Sequence, residues 1–254
     1  MIDPGAQEGP AVSDARAREL AARLQHVRER ISSATAAAGR TRPTLIVVTK
    51  YFPVSDIRIL HGLGVHDVGE NRDQEASGKA AELGDLLTWH FIGQLQTNKA
   101  RSVVRYAAAV HSVDRLSLVR ALGKAVAAEQ EGRAASGAVP RADLECFLQF
   151  DLDPEASDGG RGGALPGEAL ALAEALMGTP GLRLAGVMAV APLGIPPSEA
   201  FGNLASISGT VRSVDPTATG ISAGMSGDLE EAVEAGATHL RIGSDVLGPR
   251  PEVR

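Results

Sequence analysis

Eight short apolar runs separated by helix-like stretches predict an α/β fold, a single (β/α)8 TIM-type barrel with an extra N-terminal helix. The first run, Leu45–Thr49, is short and β-branched, which suits a strand covered on both faces of a parallel sheet. The stretches between the runs are long enough for crossover helices, which join parallel strands with right-handed chirality. The 254 residues match the length of one such barrel, about 250 residues. An open doubly wound sheet is the competing architecture.

Residues 1–11 are polar and rich in Gly and Pro, and read as a flexible tail, leaving 12–254 as one barrel domain. Leu20, Leu24, Val27 and Ile31 then recur at helical spacing, with Ser13 as N-cap and Gly39 as stop. Strands are expected at Leu45–Thr49, His66–Gly69, His90–Gly93, Ala109–Val113, Cys146–Leu152, Leu184–Val190, Gly220–Ala223 and Leu240–Gly243. Helices are expected at Ser55–His61, Arg72–Leu83, Thr97–Arg105, Arg115–Glu129, Pro166–Met177, Ser198–Val214 and Asp228–Ala235. Glu131–Asp143 and Ser157–Gly163 read as irregular.

Composition narrows the function. Lys and Arg total 25 against 31 Asp and Glu, a net charge of −6, which argues against a dedicated nucleic-acid binder. No apolar run reaches the ~20 residues of a membrane span, and the N-terminus lacks the pattern of a signal peptide. A single cysteine, Cys146, excludes an intrachain disulfide and fits a reducing, cytoplasmic setting. No histidine pair has metal-ligand spacing, and no dinucleotide loop, Walker loop or nucleophile elbow is present.

In such barrels the chemistry sits on the loops after the strands. Lys50 ends the first strand, where desolvation can make its amine a nucleophile toward a carbonyl. A snorkelling structural lysine is the alternative. Gly224-Met225-Ser226-Gly227-Asp228 joins the seventh strand to a helix, and its small residues, hydroxyl and helix dipole suit a phosphate. Gly243-Ser244 supplies the matching half after the eighth strand; simple capping by Ser226 is the alternative. Asp228 would repel a phosphate unless its side chain turns away. Arg241 shares its face with Gly243 and points inward, so it needs a ligand acceptor or a carboxylate such as Glu70. Glu70 and Asn71 follow the second strand. His90 reads as a core or supporting histidine and Cys146 as inert core.

The segments Val47-Val48-Thr49-Lys50, Val68-Gly69-Glu70-Asn71, Trp89-His90-Phe91-Ile92-Gly93-Gln94-Leu95-Gln96 with Asn98-Lys99, Gly224 to Asp228, and Arg241-Ile242-Gly243-Ser244 occur in this order. Together they resemble the pyridoxal phosphate homeostasis protein family, whose fold is similar to the N-terminal barrel of alanine racemase. The resemblance runs from Leu45 to Arg250. It implies a fold-type-III barrel that binds pyridoxal 5'-phosphate (PLP), with Lys50 carrying the aldimine. It also implies that Ser226, Gly243 and Ser244 hold the phosphate together with Met225. Arg241 would lie beside the pyridine nitrogen, and Asn71 near the lysine end of the cofactor. An arginine there keeps that nitrogen unprotonated and weakens the ring as an electron sink. Three positions depart from the family pattern. Tyr51-Phe52-Pro53 follows Lys50 where a second lysine is usual, Arg161-Gly162-Gly163 replaces a Lys-x-Gly segment, and Gln94 stands where proline is normal.

The implied function is intracellular PLP homeostasis, by buffering or delivery to PLP-dependent apoenzymes, without catalysis of its own. The chain would act as a monomer, with no nucleic-acid or membrane partner. A PLP-dependent amino-acid racemase is the alternative, but it needs an acid/base on each face of the cofactor, and the only tyrosines are Tyr51 and Tyr106. A class I aldolase acting on a sugar phosphate is a third reading, from fold analogy.

Overall fold

A computed structural model describes residues 10–153 and 162–250, with the side chains of residues 10–13 left undescribed. Eight parallel strands close into a barrel in chain order: β1 (Thr44–Val48), β2 (Asp67–Glu70), β3 (Thr88–Phe91), β4 (Ala107–Val113), β5 (Leu144–Gln149), β6 (Leu182–Met188), β7 (Gly220–Ser222) and β8 (His239–Ile242). β1 pairs with β8 from Thr44 opposite His239 to Val47 opposite Ile242, so the sheet closes and the open-sheet alternative is excluded. Around it lie α1 (Pro10–Ala38), α2 (Val54–Gly62), α3 (Asp73–Leu83), α4 (Ala100–Val103), α5 (Leu116–Ser136), α6 (Ala169–Met177), α7 (Pro197–Val214), α8 (Leu229–Glu234) and α9 (Ser244–Leu247).

The main apolar core lies between strands and helices. The extra helix α1 packs on α2, α8 and α9 across the seam where the barrel closes. Its stripe of Leu20, Leu24, Val27 and Ile31 is at most 1% exposed. Truncating one of these, as in Leu24→Ala, costs about 2–5 kcal/mol.

The structure revises several boundaries. α1 starts at Pro10 and not after Ser13, because proline tolerates the first turn, where its missing N–H has no partner to lose. It therefore enters the segment read as a tail, of which 1–9 lie outside the described residues. α5 continues to Ser136 through part of the stretch read as irregular, since Ala, Glu and Arg sustain it until Gly137. Thr97–Lys99 and Pro166–Glu168 are single 3₁₀ turns leading into α4 and α6. The segment 157–163 lies outside the described residues up to 161.

Inside the barrel the filling is unusually polar. His111 of β4 meets His90 of β3 and Phe147 of β5 beside it, and Ser222 of β7 and His239 of β8 across the lumen. A small apolar cluster of Ala109, Phe147, Ala185 and Met188 fills one side. Barrel interiors are ordinarily layered with Val, Ile and Leu.

Candidate functional site

The ends of β1, β2 and β3 form one half of the site. Val48 sits opposite Gly69, so extending the register by two residues places Lys50 beside Asn71. Gly93 after β3 lies against the Asn71 backbone; a Cβ there would meet the Asn71 carbonyl oxygen at 2.3 Å. Only glycine permits that approach. The Asn71 side-chain oxygen is buried and unpartnered. Among the described residues, no hydrogen bond or ion pair engages the Lys50 amine.

What surrounds Lys50 is anything but free. Lys79 of α3 donates to the Thr49 carbonyl at 2.8 Å, to Glu70 Oε1 at 2.7 Å and to Glu75 Oε1 at 2.6 Å. The Thr49 hydroxyl donates to the same Glu70 oxygen at 2.6 Å. Burial pushes the Glu70 carboxyl up, and Lys79 and Thr49 pull it back. Tyr51 is the one non-glycine residue with positive φ among those described, at 73°. Such backbone costs of order 1 kcal/mol and persists only where neighbours hold it. Here the Tyr51 amide donates to Glu75 at 2.6 Å, and Arg250 and Arg72 lie over its ring at 3.5 and 5.6 Å from the centroid.

The ends of β7 and β8 form the other half. Gly224, at φ 89°, packs where a Cβ would meet Ala232 and Leu240 at 2.6 and 2.8 Å. This tight turn brings Ser226 to Ser244, whose hydroxyl donates to the Ser226 oxygen at 3.2 Å. Gly243 lies against Val48, which joins this half to the lysine strand. Asp228 does turn away: its Oδ1 accepts the Met225 N–H at 2.6 Å, and the residue is 8% exposed. The Met225 amide is thereby committed, and its side chain is partly exposed. Arg30 of α1 ties this half together by donating to Glu230, Asp245 and the Ser226 carbonyl.

Arg241 lies within β8, and its side chain reaches toward β7 and the end of β6. Its guanidinium donates to the Ser222 hydroxyl at 2.7 Å and to the Ala189 carbonyl at 2.8 Å. The expected carboxylate partner Glu70 is taken by Lys79, which leaves Arg241 with no ion pair among the described residues. Burial brings it down to about 10, and Asp228 opposes this, so it stays cationic at neutral pH. A buried cation with unspent N–H donors is costly unless a ligand acceptor completes it.

The sequence singled out Lys50, Asn71, Met225, Ser226, Arg241, Gly243 and Ser244, and all lie at the C-terminal mouth. Sequence reasoning missed Lys79, Arg30, Ser222 and His111. Glu75 and Lys79 at helical i, i+4 spacing were the one local sign of the first. Cys146 is fully buried, and burial pushes its thiol up, in keeping with inert core.

The family model for the alanine racemase N-terminal domain matches residues 22–251. The chain therefore belongs to this class of barrels. More narrowly, it belongs to the pyridoxal phosphate homeostasis protein family. The protein of that name from Mycobacterium tuberculosis is 42% identical over 246 residues, 91% of this chain and 93% of the relative. The one from Corynebacterium glutamicum is 44% identical over 208 residues, 82% and 90% respectively. PipY of Synechococcus elongatus, solved with PLP bound, superposes with a TM-score of 0.74 at 31% identity, covering 90% of this chain and all of PipY. Alanine racemase from Corynebacterium glutamicum shares the fold at 11% identity and TM-score 0.64, covering 95% of this chain and 63% of the enzyme.

Proposed function

We propose that this protein binds PLP reversibly at the barrel mouth, linked covalently through the Lys50 amine, and serves intracellular PLP homeostasis by buffering or delivering it. The residues present fit that molecule. An unpaired lysine suits an aldehyde, an incompletely partnered buried arginine suits the pyridine nitrogen, and paired hydroxyls on glycine turns suit a phosphate. When bound, PLP supplies an electrophilic aldehyde and a conjugated ring. Asn71 flanks the lysine end, Ser226, Gly243 and Ser244 hold the phosphate, and Met225 shapes the loop, its amide being spent on Asp228. The meeting of Ser226 with Ser244 beside the Val48–Gly243 contact is the observation that carries this reading.

The same residues favour a role without catalysis. Arg241 presents only donors, so the ring nitrogen stays unprotonated. Neither tyrosine is placed as a second acid/base: Tyr51 is packed against Arg250, and Tyr106 lies against Asp73, with burial raising its hydroxyl. Among the described residues no helix is long and apolar enough to cross a membrane. A cytoplasmic monomer that hands PLP to apoenzymes fits these features, and light scattering tests the monomer.

The primary test is a visible spectrum of the purified protein with added PLP, then borohydride reduction and peptide mapping. A yellow protein with a pyridoxyl adduct on Lys50 is expected, and Lys50→Ala abolishes the adduct. A colourless protein, or an adduct elsewhere, overturns the assignment. Racemisation of an amino acid at a rate that tracks bound PLP would favour the enzyme.

A further inference from the structure

Below Arg241 a line of polar side chains crosses the barrel: Ser222, His111, His90 and, at the far end of β2, Asp67. His90, His111 and Ser222 are at most 5% exposed, whereas the Asp67 side chain is 28% exposed. With both rings neutral, the two ends set the direction of every bond between them. Arginine can only donate, and a carboxylate can only accept. Arg241 donates to the Ser222 oxygen at 2.7 Å, so the Ser222 proton is free to go to His111 Nδ1 at 2.8 Å. His111 then carries its proton on Nε2 and donates to His90 Nδ1 at 3.0 Å. His90 in turn carries its proton on Nε2 and donates to Asp67 Oδ1 at 3.0 Å.

We propose that Asp67, His90, His111 and Ser222 form a one-way hydrogen-bond relay that orients Arg241 toward the cofactor ring. Asp67, at the opposite end of the barrel, thereby helps set how tightly the cofactor is held. Both histidines are neutral Nε2–H tautomers. Phe147 stacks on His111 at 4.2 Å and 16°, which fixes the ring plane the relay needs. Burial, with His90 and Arg241 adding to it, holds His111 well below the ordinary imidazole range, consistent with the neutral ring. Because Ser222 spends its proton on His111, its lone pairs face Arg241 and hold the guanidinium. These four are positioning residues, since they act through Arg241. The consequence for affinity rests on the function proposed above; the tautomers do not.

The test pairs two readouts. ¹⁵N-histidine NMR of the unliganded protein reports the tautomers, and stopped-flow mixing reports PLP release. Both rings are expected as Nε2–H in the native protein. Asp67→Ala, at a partly exposed position, is expected to release His90 from that tautomer and to speed PLP release on the order of fivefold. Ser222→Ala does the same through His111, and Ser222→Thr, which keeps the hydroxyl, restores the native rate. An Nδ1–H or protonated His111 at neutral pH overturns the relay. So does an unchanged release rate in Asp67→Ala whose His90 tautomer has shifted. Native protein that takes up no PLP overturns the proposed function and the affinity claim, while the tautomers still decide the relay.

Discussion

The two halves of the site are held by opposite means. At the lysine half, Lys79, Glu70, Glu75 and Thr49 make a buried ionic knot, with Lys79 and Glu70 at most 8% exposed in their side chains. At the half built by Ser226 and Ser244, small residues and two hydroxyls form an open cup, braced from outside by Arg30 at 24% exposure. On the function proposed above, the difference follows from what each half would do. A reacting amine has to be aimed, and a sealed network fixes the strand end behind it. An anion cup has to keep donors unspent and reachable, so its supports stand at the periphery. The knot is expensive to break because its charges are out of water, while the brace is weakened by solvent.

The largest effect that would sharpen this contrast is Lys79→Ala. It leaves two carboxylates without their cation, one fully buried, and is expected to destabilise by about 3–5 kcal/mol in chemical denaturation. Lys79→Met with Glu70→Leu should recover most of that loss. A loss below about 1 kcal/mol would place this end with the weakly held periphery instead.

Acid tests whether the ends are independent of the barrel floor between them. Burial, with neighbouring His90 next, depresses His239 to about 4 and holds His111 well below its ordinary value. The unfolded chain binds protons on these rings from about pH 6.5 downward, before the folded one does. Their contribution is therefore present above about pH 6.5 and is lost as pH falls toward 4. The slope approaches roughly 1.4 kcal/mol per pH unit for each ring. Calorimetry across the upper part of this window should show the same slope in native protein and in Arg30→Ala, which leaves no buried carboxyl without its cation; a different slope would mean that brace and floor are coupled.

The smaller effects belong to the cup. Arg30→Ala should cost about 1 kcal/mol of stability yet release PLP faster, because it frees α8, α9 and the Ser226 carbonyl together. Ser226→Ala with Ser244→Ala should leave the melting temperature within error and speed PLP release. Equal release rates would reduce the two serines to a structural contact between the β7 and β8 loops.

By itself the sequence determined the barrel and the identity of the mouth. Continuous β-branched runs such as Leu45-Ile46-Val47-Val48 at crossover spacing leave few other folds open, and the residue after each strand then falls at one rim by topology alone. Lys50, Asn71, Ser226 and Ser244 were placed at that rim for this reason, and Arg241 was placed inside the last strand by its shared face with Gly243. Boundaries such as the extra turns of α5, and the short helix α9, were not, because local propensity is weak against packing. Only the tertiary structure decided partners. Glu70 could have met Arg241, but Lys79 reaches it from a neighbouring helix nine residues on, and Arg241 is left to Ser222 and a carbonyl. The line from Asp67 to Arg241 draws one residue from each of five strands, so no spacing along the chain could reveal it; closing the sheet put them in contact.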